Sequence, residues 1–266
     1  MKIAIIGHTS HVAQGLYFYL QNKYEMFLYS RENINFFEKN DYDIIINCVG
    51  FGSSFRETTN WNELFELTEK YDNKIISKIE KYPDSLYINF SSGSVYNKLL
   101  TESDQYSLIK MYFESKHRSL IHLNIVDIRL FNYFSRFVDL RGNYLINHMI
   151  NSIKNNTTFI TNSIDIIRDY IHPSDLAAFI LCCYTKKLNS SLDVYSKAPI
   201  SKFELINYFV SKYNLKYEIK EDLQLSSITG IKLNYQAQNK IAETLNYFPK
   251  LSSLQTIEEE TSYLLN

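Results

Sequence analysis

The chain has 266 residues, 45% of them apolar, with 28 basic against 29 acidic side chains and a formal net charge of -1. That is length enough for one large α/β domain, or for a nucleotide-binding domain with a small appended lobe, and apolar enough to bury a sizeable core. Balanced charge without long runs of one sign argues against a nucleic-acid binder or a membrane-surface protein.

No apolar run reaches the roughly 18 residues of a membrane span, and "MKIAIIGHTS" turns polar too soon for a signal peptide. Cys48, Cys182 and Cys183 lack metal-ligand spacing, and an odd count makes a poor disulfide framework. A reduced, soluble, cytoplasmic protein is expected.

Taken in order, "KIAIIG" (2–7) is an apolar β-run closed by glycine, and "HVAQGLYFYLQN" (11–22) has helical spacing. "EMFLYS" (25–30) and "DIIINCVG" (43–50) read as buried strands, and residues 61–82 as a helix. Strand 85–92, helix 104–120 and strand 123–131 follow. Apolar strands alternating with amphipathic helices predict an α/β fold with a doubly wound, Rossmann-like parallel sheet.

Beyond residue 132 the rhythm loosens. Residues 143–156 read as helix, "RDYIHPSDLAAFILCCYTKK" (168–187) as a strand and then a helix with Pro173 near its start, 192–197 as strand and 201–214 as helix. Two short helical patterns flank "NYFPKLS" (246–252). The expected organisation is a dinucleotide-binding core, 1–132 completed by 166–196, with 133–165 and 197–266 forming a small C-terminal substrate-binding lobe.

The turn after the first strand is Gly7-His8-Thr9-Ser10-His11-Val12-Ala13. Backbone N–H groups and the positive end of a helix favour a pyrophosphate there. A full GxxGxxG would need glycine at 10 and 13, so the motif alone is as compatible with a plain strand-turn-helix. At the end of the second strand stand Ser30 and Arg31 rather than the carboxylate that selects NAD. A guanidinium and a hydroxyl suit a 2'-phosphate, which points to NADP(H); a solvated surface arginine is the plain alternative.

"SSGSVYNKLLTESDQYSLIK" (91–110) ends in Tyr106 and Lys110, which are four apart and so share one helix face. A neighbouring ammonium stabilises phenolate and lowers a tyrosine pKa from about 10 towards working pH. Such a tyrosine can exchange a proton with a carbinol oxygen while a serine from the strand end hydrogen-bonds the same atom. Alone, YxxxK is most often a surface pair; its place after a serine-ending strand is what gives it weight.

These segments together resemble an extended short-chain dehydrogenase/reductase of the nucleotide-sugar epimerase/dehydratase family. "DIIINCVG" is similar to the family's fourth strand and Asn73 to an asparagine on the next helix. "SSGSVY" resembles the serine-bearing strand end, "YSLIK" the catalytic helix, "IRLFNYFS" (128–135) the "RxxN" strand and "RDYIHPSDLA" (168–177) the "RDYIHVDDLA" segment. "LNYFPKLSSLQTIEEE" (245–260) resembles the C-terminal "LGWxPxxSLEEGI".

The resemblance implies that Ser92, Tyr106 and Lys110 are catalytic, Lys110 also holding the nicotinamide ribose. It implies cofactor contacts from Gly7, Thr9, Ser10, His11 and Val12, from Ser30 and Arg31, from Cys48, Val49 and Gly50, and from Asn73. Ser94, Asn132 and Arg168 would meet the substrate, Arg168 at a diphosphate, with an ion pair to Asp169 or Asp175 as its structural alternative. His11 and His172 read as structural.

Dehydratases of the family follow the catalytic threonine with Asp-Glu, where this chain has Gly93 and Ser94; dehydration is therefore not expected. The short 92–106 loop resembles that of small 4-ketoreductases such as CDP-paratose synthase. The implied activity is NADPH-dependent reduction of a 4-keto nucleoside-diphosphate sugar, in an enzyme of surface polysaccharide synthesis. A nucleotide-sugar epimerase with retained NAD(P), and a non-catalytic NADP(H)-binding protein on the same fold, are the alternatives. Homodimerisation through the Tyr106 helix, and neither nucleic acid nor membrane as partner, complete the expectation.

Overall fold

The computed structural model describes residues 1–50, 60–97, 105–221 and 232–265. The 51–58 segment, in which pocket residues are expected, and most of the shortened loop before Tyr106 lie outside the described residues.

Strand β1 (Lys2–Ile6) leads through the glycine turn into α1 (His11–Leu20) and β2 (Glu25–Tyr29), and a 3₁₀ stretch, Ile34–Lys39, precedes β3 (Ile44–Asn47). The expected βα alternation continues with α2 (Trp61–Ile79), β4 (Leu86–Ser92), α3 (Gln105–Ser119) and β5 (Ile125–Leu130). The second half runs β6 (Asn132–Tyr133), α4 (Leu145–Lys154), β7 (Phe159–Thr161), β8 (Ile167–Arg168), β9 (Tyr170–Ile171), α5 (Pro173–Tyr184) and β10 (Asn189–Asp193). It closes with β11 (Ile200–Ser201), α6 (Lys202–Tyr213), β12 (Tyr217–Ile219), β13 (Asn234–Tyr235) and α7 (Ser253–Leu265).

The main sheet has the order β10-β5-β4-β3-β1-β2, and every pairing in it is parallel. Successive side chains of a strand point to opposite faces, so a strand covered on both sides reads as a continuous apolar run. Thus Ile3, Ile5, Ile44 and Ile46 pack with Leu16 of α1 and Leu176 and Ile180 of α5. Ala4, Ile6 and Ile45 face the other way, onto Ile75 and Ile79 of α2. The 3₁₀ stretch replaces a strand between β2 and β3 and buries Phe37 on this second face.

The short strands of the second half form three small sheets, β11-β8-β13, β12-β7 and β6-β9, that strand periodicity could not reveal in two- and three-residue pieces. A separate cluster of Phe134, Met149, Ile150, Ile206, Phe209 and Ile257 gives this part its own core. Ser201 starts α6 with a capping box, accepting from Glu204 N–H while the Glu204 carboxylate accepts from Ser201 N–H. Buried Glu260 of α7 accepts from three Arg136 nitrogens at 2.6, 3.0 and 2.7 Å and from His172 at 3.2 Å. His172 also caps α5, with Pro173 in the first turn. The His11 ring packs edge-on against Tyr133.

Beneath the second face lies a buried polar cluster that no apolar pattern announces. Both ring nitrogens of fully buried His117 lie 2.8 Å from carboxylates, Nδ1 from Asp127 and Nε2 from Asp72. Lys116 and the Tyr87 hydroxyl also donate to Asp72, and Arg118 and Asn89 to Asp127. Burial works against a charged imidazole, but Asp127 and Asp72 outweigh it and hold His117 up at about 9.

A histidine at about 9 when folded, against about 6.5 unfolded, stabilises the fold fully below that lower value and loses the contribution as pH rises through the upper one. Urea denaturation is therefore expected to show lower stability, by up to a few kcal/mol, at about pH 9.5 than at about pH 6. Equal stabilities would mean that the folded protein holds His117 neutral.

Candidate active site

The chain enters the sheet at β1, adds β2 on one side and then crosses to place β3 on the other. At such a reversal the loops after the two strands diverge and leave a crevice beyond their carboxyl ends. Gly7 stands there with φ +79°, a conformation glycine adopts without strain. A Cβ on it would come within 3.0 Å of the backbone of Cys48 and Val49, so the two loops meet too closely for any side chain.

Helix α1 begins directly after, and its N-cap Ser10 accepts from Ala13 N–H at 3.4 Å. Ser10 thus occupies with a capping hydroxyl the position where the family pattern has glycine. Within the turn, the Gly7 and His8 N–H groups donate to Tyr29 O and the Ser10 N–H to Gly7 O. Buried His11 Nε2 has no partner, and burial lowers the imidazole to about 4, so it is neutral. Thr9 is exposed and Val12 half-buried beside it. The close glycine turn at the start of α1 fits a bound dinucleotide, with Ser10 acting as the helix cap.

Val49 N–H is fixed by Asn47 Oδ1 at 3.1 Å, and no atom of the described residues comes within 4 Å of where a Cβ on exposed Gly50 would stand. Burial pushes the Cys48 thiol up to about 12, which leaves it unreactive near neutral pH. At the end of β2, Ser30 Oγ accepts from Glu32 N–H at 3.2 Å, Ser30 N–H donates to Asn33, and Arg31 is exposed. Asn73 is not brought to this crevice. It lies on the exposed side of α2, about 18 Å along the helix from its first residue, and accepts from Lys116 at 2.6 Å.

The two serines of β4 diverge as neighbours on a strand must. Ser91 donates to Glu114 Oε1 at 2.5 Å, a carboxylate that also takes two nitrogens of Arg129. Ser92 caps the 3₁₀ turn Gly93–Tyr96 by accepting from Ser94 N–H at 3.2 Å. Lys110 donates to Phe90 O at 2.6 Å and its ammonium stands 5.6 Å from the Tyr106 ring centroid. Lysine and tyrosine thus share one face of α3, and the lysine is anchored to the strand that carries Ser92. The Ser94 hydroxyl is buried without a partner, an orphan that a bound polar ligand would satisfy.

Asn132 donates weakly to Asp169 O at 3.5 Å. Arg168 donates to the carbonyls of Ile167 and Leu233 at 2.8 and 3.4 Å. Its expected structural partners are engaged elsewhere: Asp169 accepts from Ser196 N–H and Asp175 from Lys250 and Leu251 N–H. Burial lowers the Arg168 pKa without a carboxylate to oppose it.

Two groups here escaped the sequence reading. The Tyr235 hydroxyl lies 3.0 Å from Ser92 Oγ, 143 residues away in the chain, with no motif around it. The Phe131 ring covers Gly93 so closely that an added Cβ would meet it at 2.2 Å. A side chain at 93, such as the aspartate of a dehydratase, would have to displace this ring.

A doubly wound parallel sheet with a glycine turn at its reversal defines a nucleotide-binding α/β protein of the Rossmann class. Residues 24–195 match the NAD dependent epimerase/dehydratase family, well over half of the chain, and the protein belongs to that family. The match begins after the glycine turn. Similar solved structures include the UDP-N-acetylglucosamine 4-epimerase of Methanobrevibacter ruminantium M1 in complex with UDP-N-acetylmuramic acid, at 16% identity and TM-score 0.79, covering 99% of this chain and 98% of that one. The ADP-L-glycero-D-manno-heptose-6-epimerase of Helicobacter pylori is similar at 13% identity and TM-score 0.81, over 99% and 96%. The dTDP-glucose 4,6-dehydratase of Bacillus anthracis in complex with NAD is similar at 14% identity and TM-score 0.70, over 99% and 96%. At these identities the likeness speaks to the fold. No curated protein sequence matches the chain.

Gly93→Ala is expected to cost roughly 1–3 kcal/mol by crowding Phe131, and Phe131→Leu in the same chain to recover part of it. Thermal denaturation of the three variants checks this; an unchanged midpoint for Gly93→Ala would contradict the packing described.

Proposed function

We propose that the protein transfers hydride at a carbinol or ketone carbon of a nucleoside-diphosphate sugar, using a bound nicotinamide dinucleotide. The observation that carries the reading is the grouping of Ser92, at the end of β4, with Tyr106 and Lys110 on the helix docked against that strand. The Lys110 ammonium stabilises a Tyr106 phenolate, so Tyr106 can take a proton from, or give one to, the sugar oxygen. Ser92 hydrogen-bonds the same oxygen. The nicotinamide supplies or takes up hydride when bound. Gly7, Thr9, Ser10, His11 and Val12 would hold the pyrophosphate, and Val49 and Gly50 the opposite wall. Arg168 would take the sugar nucleotide's diphosphate, and Ser94 and Asn132 its sugar. Asn73, far along α2, acts at most by securing Lys116.

Epimerisation, in which the sugar oxygen loses and regains its proton at Tyr106 within one cycle, is the form that the similar epimerases favour. The 4-ketoreductase reading rests on Ser30 and exposed Arg31 at the end of β2, which favour a 2'-phosphate and hence exchangeable NADPH. Gly93 under Phe131 disfavours dehydration in either case. The division into a cofactor core, 1–132 with 166–196, and a substrate lobe from the remainder goes with both readings. So does a homodimer through α3, which exposes Leu108, Met111 and Tyr112. No helix among the described residues is long and apolar enough to cross a membrane.

Two measurements separate the forms. An epimerase is expected to release NAD(P) on acid denaturation and to interconvert UDP-glucose or UDP-N-acetylglucosamine with their 4-epimers without added cofactor. A ketoreductase is expected to oxidise added NADPH only with a 4-keto sugar nucleotide, and Arg31→Ala should then weaken NADPH binding more than NADH binding. Absence of any nicotinamide nucleotide, retained or titrated, would sink both and leave a non-catalytic protein on this fold.

Tyr106→Phe is expected to lower turnover by about 10²–10⁴ with little change in cofactor affinity. Near-normal turnover would remove Tyr106 from the mechanism.

A further inference from the structure

A serine hydroxyl has one proton to donate and two lone pairs to accept with. On Ser92 one lone pair is already engaged by Ser94 N–H at 3.2 Å. The Tyr235 hydroxyl lies 3.0 Å from the same oxygen, and its orientation decides what Ser92 can do next. If Tyr235 accepts, Ser92 spends its only proton inside the protein. If Tyr235 donates, both lone pairs are filled and the Ser92 proton must point elsewhere.

The surroundings of Tyr235 favour donation. The Lys232 ammonium lies 4.3 Å from its ring centroid, and a cation over a phenol makes the O–H a better donor. Tyr235 is also register partner to Arg168 across β13 and β8, a second positive charge on the same small sheet. We infer that Tyr235 donates to Ser92 Oγ and so holds the Ser92 hydroxyl as a fixed donor towards the reacting oxygen of the substrate. Tyr235 is on this view a positioning residue for the hydride-transfer chemistry proposed above, on which the inference rests.

The tyrosine is braced on two sides. Its ring meets Phe131 edge-on at 5.2 Å, and Phe131 lies between it and Tyr96, near-parallel to the latter at 6.3 Å. Tyr96 Oη in turn accepts from Arg129 at 2.7 Å and bonds Asp193 at 2.8 Å. Asp193 Oδ2 accepts from the backbone N–H groups of Gln238 and Asn239, three and four residues beyond Tyr235. The segment bearing Tyr235 is thereby tied to the end of β10 in the main sheet. Gly93 completes the arrangement, since only a bare α-carbon lets Phe131 lie where it supports Tyr235. This gives Gly93 a reason to be glycine beyond the missing dehydratase acid.

The test compares wild type, Tyr235→Phe, Ser92→Ala and the double variant, each with thermal denaturation as a fold control. With whichever sugar nucleotide the wild type turns over, Tyr235→Phe is expected to lower kcat roughly tenfold with KM within about twofold, short of the hundredfold or more of deleting a donor outright. In the Ser92→Ala background the same change is expected to cost nothing further, because there is no hydroxyl left to orient. An equal loss in both backgrounds, or a change in KM alone, overturns the inference.

A second arm needs no substrate. In protein labelled with ¹³Cζ-tyrosine, the Tyr235 resonance, identified by its absence in Tyr235→Phe, should move in Ser92→Ala. A resonance that stays in place refutes the hydrogen bond. If no sugar nucleotide is turned over by the wild type, the functional reading falls, and the resonance still decides the Ser92–Tyr235 pair.

Discussion

The structure depends on how α3 is docked. Its inward stripe, at helical spacing, is Lys110, Phe113, Glu114 and His117, and three of these four are polar. Each is bound to the main sheet: Lys110 to the Phe90 carbonyl, Glu114 to Ser91 and Arg129, His117 to Asp127. An apolar helix face tolerates sliding by a fraction of a turn, whereas a stripe of short, directional, buried hydrogen bonds does not. Leaving any of these groups unpaired in the interior costs more than its bond contributes, so the helix has one register. That register fixes Lys110 against β4, two residues before Ser92, while Tyr106 one turn earlier packs towards Trp61.

The same docking binds the two halves of the site together. His117 reaches beyond the sheet to Asp72 of α2, and Asp72 takes the Tyr87 hydroxyl, which takes Asn47 Nδ2. Asn47 Oδ1 then fixes the Val49 N–H at the wall of the dinucleotide crevice. One continuous set of hydrogen bonds therefore runs from α3 under the sheet to the loop after β3. It belongs to no recognised motif, and its members are scattered over some eighty positions of the chain. Charge pairing inside it is costly to assemble but specific once made.

How much of this could be read beforehand differs by element. The inner strands of the main sheet are buried on both faces and appear as unbroken runs such as "IAII" and "IIIN", whereas the edge strand β10, expected at 192–197, is the largely polar "NSSLD" at 189–193. The helices between them carry clear apolar faces, and their ends fell within a few residues of expectation. The small sheets of the second half, β11-β8-β13 among them, were invisible because strands of two or three residues have no period to detect. Of the candidate site, Ser92, Tyr106 and Lys110 could be proposed from the sequence because one local segment holds them. Ser10, where the family pattern has glycine, turns its hydroxyl back onto the helix as a cap, which the motif alone could not show.

What the sequence determined by itself was the class of fold and the chemistry that a serine, a tyrosine and a lysine at that spacing can perform, because both follow from short-range periodicity and side-chain type. What only the tertiary structure decided was which distant groups complete the site. Tyr235 meets Ser92 across 143 positions, Phe131 closes the space over Gly93, and Asp72 meets His117 from another helix. Such contacts are set by the register of strands and the docking of helices, and closure over dozens of residues or more leaves no local trace in the order of the amino acids.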